Sequence, residues 1–233
     1  MPVIYQYRCI IIIIIIIIII IIIIIIIIII VIITDLEAVM AKTLGKLEKG
    51  DMNKLERMIG TGQKTFTLLY SATRDGCSAS TFHLKCDLQG PTVTVLFNTE
   101  GSVFGGYTAE SWYCALNNYS KDPNAFLYQL KFSGNDLPTK FPVVNSENAI
   151  YSHYNYGPTF GGYSLFTFSG AIDPSSTGVF ALNGYVKFND KFYRMNVLSD
   201  VKSAADINNG NMNVTDFEVY KVTGTRRFDF SNN

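Results

Sequence analysis

TVTVLFNTEGSVFGGYT, Thr92 to Thr108, reads as two strands and the turn between them. Its apolar residues fall at period two or in short runs. They are mostly β-branched or aromatic, the types that suit a pleated, half-buried surface. Glu100-Gly101 stands where the chain must reverse, and glycine supplies the backbone freedom a tight turn needs. Thr92 to Asn98 and Ser102 to Thr108 are therefore expected to pair as a hairpin.

The same pattern extends in both directions. Upstream, Thr65 to Tyr70 is a strand candidate. Downstream, strands are expected at Phe126 to Phe132, Ala149 to Ser152, Ser164 to Ser169, Val179 to Leu182, Tyr185 to Asn189, Lys191 to Asn196 and Asp216 to Val222. Asn189-Asp190 suits a second tight hairpin. Ser78 to Cys86 has helical spacing instead. Residues 198 to 214, rich in Asn, Ser and Asp, look like a long surface loop. Many short strands with few helices predict a mainly β (α+β) fold: a two-sheet antiparallel β-sandwich with a few short helices, preceded by an N-terminal helical segment.

That segment covers residues 34 to 60. Leu36, Val39, Met40, Leu44 and Leu47 follow the 3.6-residue period. Gly50-Asp51 is expected to end one helix and cap the next, which carries Met52, Leu55, Met58 and Ile59. Before it stands an unbroken run of 21 isoleucines, Ile10 to Ile30, followed by Val31, Ile32 and Ile33. As a helix the run spans about 32 Å, close to the roughly 30 Å hydrocarbon core of a bilayer. Two readings follow for this head, residues 1–33: a single-pass membrane anchor, or a translated single-codon repeat or gene-model artefact. A cleaved signal peptide fits poorly, since the block exceeds the usual h-region and no small-x-small site follows it. Flanking charges of both signs leave orientation open. The expected organisation is thus the head, a helical segment over 34–60, one folded domain over 61–223 and a tail over 224–233.

Composition excludes several classes. Sixteen Phe and fourteen Tyr make the chain too aromatic to be disordered. A single apolar block argues against a polytopic membrane protein. Nineteen basic residues balance nineteen acidic ones, so no global field draws nucleic acid, and none is expected as a partner.

The most suggestive chemistry lies in Arg74-Asp75-Gly76-Cys77-Ser78-Ala79-Ser80-Thr81-Phe82-His83-Leu84-Lys85-Cys86. With Ser78 as N-cap, Ala79, Phe82, His83 and Cys86 share one helical face, which should point into the core. His83 then reads as a satisfied core histidine. Cys77 lies before the cap and off that face, so a Cys77–His83 nucleophile pair would need an unexplained bend. A zinc site drawn from Cys77, His83, Cys86 and Cys114 matches no common ligand spacing. Nine helical residues separate Cys77 from Cys86 by about 13 Å, too far for a disulfide. Four unpatterned cysteines suit a reduced compartment. Gly105-Gly106 and Gly157-Pro158-Thr159-Phe160-Gly161-Gly162 lack the setting of a nucleotide-binding loop and read as close backbone approaches in a sheet. Asp75, Asp87, Glu100, Glu110, Asp122 and Glu147 are scattered. No catalytic, cofactor-binding or metal-binding set is expected. Tyr151-Ser152-His153-Tyr154-Asn155-Tyr156 is an aromatic run, read as a turn on the sandwich rim or as a contact surface.

The order of these motifs resembles the TLDc domain family. The stretch from Leu68 to Trp112 resembles its opening half: LLY at a strand end, a DG-x-S helix carrying F-H-x-K-C, GPT before a strand, GGY and a Trp. Ala149-Ile150-Tyr151 through Gly161-Gly162 resembles its second signature, and Asp216-Phe217-Glu218-Val219-Tyr220 its last strand. The likeness covers about residues 64 to 222 and is nearer the interferon-induced TLDc proteins than the oxidation-resistance branch. Nucleotide binding is not carried over, because no GTPase-like domain accompanies these motifs here.

The resemblance implies a β-sandwich and a non-catalytic protein-interaction role in oxidative-stress or innate immune responses. It also implies a vacuolar proton pump subunit as a partner. It supplies no active site. A cytoplasmic location goes with this reading. Two alternatives are a thiol-dependent antioxidant enzyme using Cys77 or Cys86, which requires an exposed thiol of low pKa, and an adaptor tethered to a membrane through Ile10 to Ile33.

Overall fold

The structure, a computed structural model, describes residues 2–187, 190–195 and 201–224. It divides into two compact units that meet at Leu44 and Gly45. The first is one helix, α1 (Pro2–Leu44), about 65 Å long at helical rise. Within it Ile15–Leu36 is long and apolar enough to cross a membrane, and none of that span is buried in the protein.

The second unit begins at Gly45, whose φ of +74° turns the chain out of helix. A Cβ there would collide with the Tyr220 hydroxyl. The helix break therefore falls at Gly45 and not at Gly50-Asp51. Gly50 lies inside α2 (Lys49–Ile59), with Glu48 at its N-cap. Asp51 does not cap either; it is buried and paired with Lys54 at 2.8 Å and Lys131 at 3.5 Å.

After α2 come β1 (Lys64–Ser71), the short helix α3 (Ala72–Asp75), β2 (Cys77–Ser78) and α4 (Ala79–Cys86). The expected hairpin is present as β3 (Thr92–Asn98) and β4 (Val103–Thr108). Asn98 closes its turn by accepting the Glu100 and Ser102 amides at 3.1 and 2.7 Å. Then follow β5 (Asn118–Ser120), β6 (Phe126–Phe132), β7 (Asn135–Pro142), β8 (Ile150–Ser152), β9 (Thr159–Phe160), β10 (Leu165–Phe166), β11 (Ala171–Ile172), β12 (Phe180–Ala181) and β13 (Tyr185–Val186). A 3-10 turn (Ser146–Asn148) precedes β8, and helix α5 (Ala205–Asn208) and β14 (Asn213–Gly224) complete the described elements.

Among the described residues these strands form a larger sheet, β1-β14-β3-β4-β6-β7 with β12 beside β14, a smaller one, β13-β10-β9-β8-β5, and a two-stranded pair, β11-β2. Every pairing between named strands is antiparallel. The larger sheet is covered on both faces. On the inner face, Leu96, Phe104, Phe141 and Phe217 pack with Phe160 and Leu165 of the smaller sheet and with Phe82 of α4. On the outer face, Val93, Val95, Tyr107 and Tyr128 pack under Leu55 of α2 and Leu47. Burying each such side chain contributes about 1.5–3 kcal/mol. The two-sheet antiparallel architecture read from the sequence is the one observed.

Two expectations need correction. Residues 201–214, the described part of the expected 198–214 loop, are not a surface loop. Where described, they carry Val201, Ile207 and Met212 into the core. Their backbone carbonyls are met by side chains of the larger sheet: Gln129 donates to the Asp206 carbonyl at 2.9 Å and Asn98 to the Asn208 carbonyl at 3.0 Å. Nor do residues 191–195, the described part of the expected Lys191 to Asn196 strand, fold back on β13. There Tyr193 bridges Val143, and the Arg194 amide donates to the Pro142 carbonyl at 2.8 Å. Tyr193 is fully buried and its hydroxyl donates to the Ala149 carbonyl at 2.5 Å. That anchor holds the segment beside the end of β7. The proposed Asn189-Asp190 turn and the tail beyond Gly224 fall at least partly outside the described residues.

Candidate functional site

Helix α4 starts where its capping residue predicts. Ser78 Oγ accepts the Thr81 amide at 3.2 Å. Ala79, Phe82, His83 and Cys86 are all buried, so the helical stripe faces inward as expected. Phe82 meets Tyr70 and Trp112 edge-on, with ring centroids 6.2 and 5.8 Å apart.

The two thiols in this region are free and buried; Cys77 is 4% exposed and Cys86 0%. Burial pushes the Cys77 thiol up to about 12, with a Tyr70 hydrogen bond offsetting only part of this. Burial raises Cys86 also, reinforced by the Asp87 and Asp75 charges. These are the opposite of the exposed, acidic thiols that an antioxidant enzyme acting through Cys77 or Cys86 would require.

His83 is buried but more elaborately partnered than a packing residue. Its Nε2 lies 2.9 Å from the His153 carbonyl, and its Nδ1 lies 2.7 Å from Asp87 Oδ1. A carbonyl only accepts, so Nε2 carries a hydrogen. Asp87 follows α4 directly and sits four residues after His83, one helical turn on.

The third member arrives through Trp112. Its indole N–H donates to Thr92 Oγ1 at 2.9 Å, and its ring stands edge-on to Phe160 at 5.5 Å. Its carbonyl accepts the Leu88 amide at 3.0 Å, fastening the β4–β5 connection to the end of α4. Two residues on, the Cys114 amide donates to Asp87 Oδ2 at 2.8 Å. One ligand-type atom from each of His83, Asp87 and Cys114 then lies within 4.8 Å of the others. Burial acts to raise the Asp87 carboxyl. The His83 contact and the Cys114 amide outweigh it and hold the group below its ordinary value. The hydrogen bond to Asp87, with burial, raises the Cys114 thiol.

This grouping differs from the one weighed from the sequence. Cys77 and Cys86 belong to the core, while Asp87 and Cys114 join His83. Asp87 was one of several scattered carboxylates; its i+4 spacing from His83 was the available signal. Cys114 lay 27 residues further along, and nothing local marked it.

His153 links this cluster to a tyrosine-rich face. While its carbonyl holds His83, its ring lies 4.5 Å from Tyr154 and 4.2 Å from Tyr156. Tyr151 approaches Tyr119 at 4.9 Å and Tyr163 at 6.2 Å, and Tyr163 approaches Tyr185 at 6.4 Å. Tyr154 is 68% exposed and Tyr185 45%, so part of this aromatic surface meets solvent.

The glycine pairs serve packing. A Cβ on Gly106 would enter the Phe160 ring, and one on Gly105 would strike the Thr94 carbonyl. Gly157 makes room for Phe168, and Gly162 for Phe192.

A search among curated proteins returns no match. A family model described as TLDc domain matches residues 47–223, which takes in α2 and both sheets but for Gly224. The motif order from Leu68 to Tyr220, the two-sheet body and this match converge on one assignment: the chain belongs to the TLDc domain family.

Proposed function

We propose that this chain is a non-catalytic protein-interaction module that acts in stress or innate immune responses by binding a subunit of the vacuolar proton pump. The carrying observation is the aromatic face of Tyr119, Tyr151, Tyr154, Tyr156, Tyr163 and Tyr185. Tyrosines give large, stiff contact area with a polar tip and are enriched at protein interfaces. Here they are mounted on a sheet with a packed core behind it, so little ordering is needed on binding. The buried, unactivated thiols at Cys77 and Cys86 accord with a role without chemistry.

The test is direct binding of the full chain, in detergent micelles, to purified subcomplexes of a vacuolar proton pump. Binding is expected, and a Tyr154→Ala, Tyr185→Ala double variant should weaken it at least about 10-fold, the scale of interface hot spots. No binding by the wild-type chain would remove the pump as partner. Unchanged affinity in the double variant would remove the face.

A second reading concerns location. Side chains along Ile15–Leu36 are about half exposed on α1, an arrangement suited to hydrocarbon rather than water. It supports a module tethered to a membrane by this helix.

A further inference from the structure

We propose that His83, Asp87 and Cys114 form a site for one zinc ion. The argument starts at His83. Its Nε2–H is committed to the His153 carbonyl at 2.9 Å, which fixes the ring and leaves Nδ1 to face Asp87 Oδ1 at 2.7 Å. This is the arrangement of a metal-binding histidine: one ring nitrogen held by a backbone carbonyl, the other presented to the ion. Two lone pairs directed at each other across that distance require a positive centre between them. A proton fills the role, and so does a metal ion.

The third donor selects the metal. Cys114 brings a sulfur, and one donor atom from each of the three residues lies within 4.8 Å of the others. A mixed nitrogen, oxygen and sulfur set suits zinc and disfavours magnesium or calcium, which take oxygen ligands. Around a tetrahedral zinc the donor atoms stand roughly 3.3–3.7 Å apart. The 2.7 Å contact must therefore widen by somewhat under 1 Å, and the longest separation, within 4.8 Å, must close by roughly 1–1.5 Å at most. Rotations of Asp87 and Cys114 are enough, since both follow α4 or lie in a connection.

The surroundings also fit. Asp87 Oδ2 is held by the Cys114 amide at 2.8 Å, so the carboxylate is oriented while Oδ1 serves as ligand. Three protein donors leave a fourth position, and half-buried Cys114 gives solvent access to it. Zinc displaces the proton between His83 and Asp87 and the thiol proton of Cys114, so uptake releases protons and strengthens as pH rises. The ion would tie together the end of α4, the β4–β5 connection and, through His153, the tyrosine face.

The test is titration of the full chain in detergent micelles with cobalt(II), a coloured substitute for zinc. One equivalent should produce a thiolate-to-cobalt charge-transfer band that added zinc abolishes. Cys114→Ser should lose the band, Asp87→Asn should weaken binding at least about 10-fold, and Cys77→Ser and Cys9→Ser should keep it. Thermal melting supplies a second readout. Excess zinc should raise the wild-type midpoint by several degrees and leave Cys114→Ser unmoved, with the two melting alike when chelator is present. Absence of the band in wild-type protein, or a band or melting shift that survives Cys114→Ser, overturns the proposal.

Discussion

Gly106 has no side chain, and Phe160 occupies the place where one would stand. That single vacancy lets the ring of the smaller sheet rest on the backbone of the larger. Gly106→Ala forces the ring or the strand to move, and overpacking of this kind costs about 1–3 kcal/mol. Urea melting of the full chain in micelles should show that loss. Gly50 gives the opposite case, because nothing lies within 4 Å of the Cβ it lacks and it sits inside a helix. Gly50→Ala should stabilise by up to about 1 kcal/mol in the same measurement. Thiol reactivity checks another residue-scale feature. With iodoacetamide and peptide mapping on metal-free protein, Cys114 should label in the native state and Cys77 and Cys86 only after unfolding. Legibility at this scale followed periodicity. His83 could be placed on a buried face because α4 repeats every 3.6 residues. Its partnership with Cys114 could not, because it depends on where Trp112 lodges in a pocket made by distant strands.

Elements were legible where their pattern was local. The β3–β4 hairpin, β6 and α4 stand within a residue or so of their expected bounds, since each carries its own alternation, turn or cap. The 198–214 stretch misled because its backbone carbonyls accept from Asn98 and Gln129 of the larger sheet, and the Asn209 side chain accepts from Asn98 and Ser102, partnerships that look the same in sequence as solvation. Strands of two residues, such as β9 and β13, exist only through their pairing. The connection into α2 has an electrostatic consequence. Glu218 of β14 accepts the Tyr220 hydroxyl at 2.5 Å and the Lys46 amide at 2.8 Å. Burial raises its carboxyl to about 7 from 4.5, although both hydrogen bonds oppose the change. The unfolded chain gives up this proton near 4.5 and the folded one near 7, so the contribution to stability is complete below the first value and is lost as pH rises towards the second. The urea midpoint should fall between pH 5 and 7.5, by an amount equivalent to about 3 kcal/mol at most. Glu218→Gln should flatten that dependence; an equally steep profile in the variant would show that other groups cause it.

At the scale of the molecule, α1 and the folded unit obey different solvents. The folded unit buries both faces of its larger sheet, while α1 presents isoleucine on every side of Ile15–Leu36. Carbonate extraction of cell membranes should leave the chain in the pellet, and release into the supernatant would rule out a spanning helix. The order of strands has a further consequence. The last described strand, β14, lies between the first, β1, and β3, and takes β12 as well. β3, β4, β6 and β7 can pair as they emerge, but β1 must wait for β14 to be delivered before it finds a neighbour in that sheet. A nonsense codon anywhere ahead of Asn213 would not trim an edge; it would delete the sheet's spine and leave β1 with nothing to join.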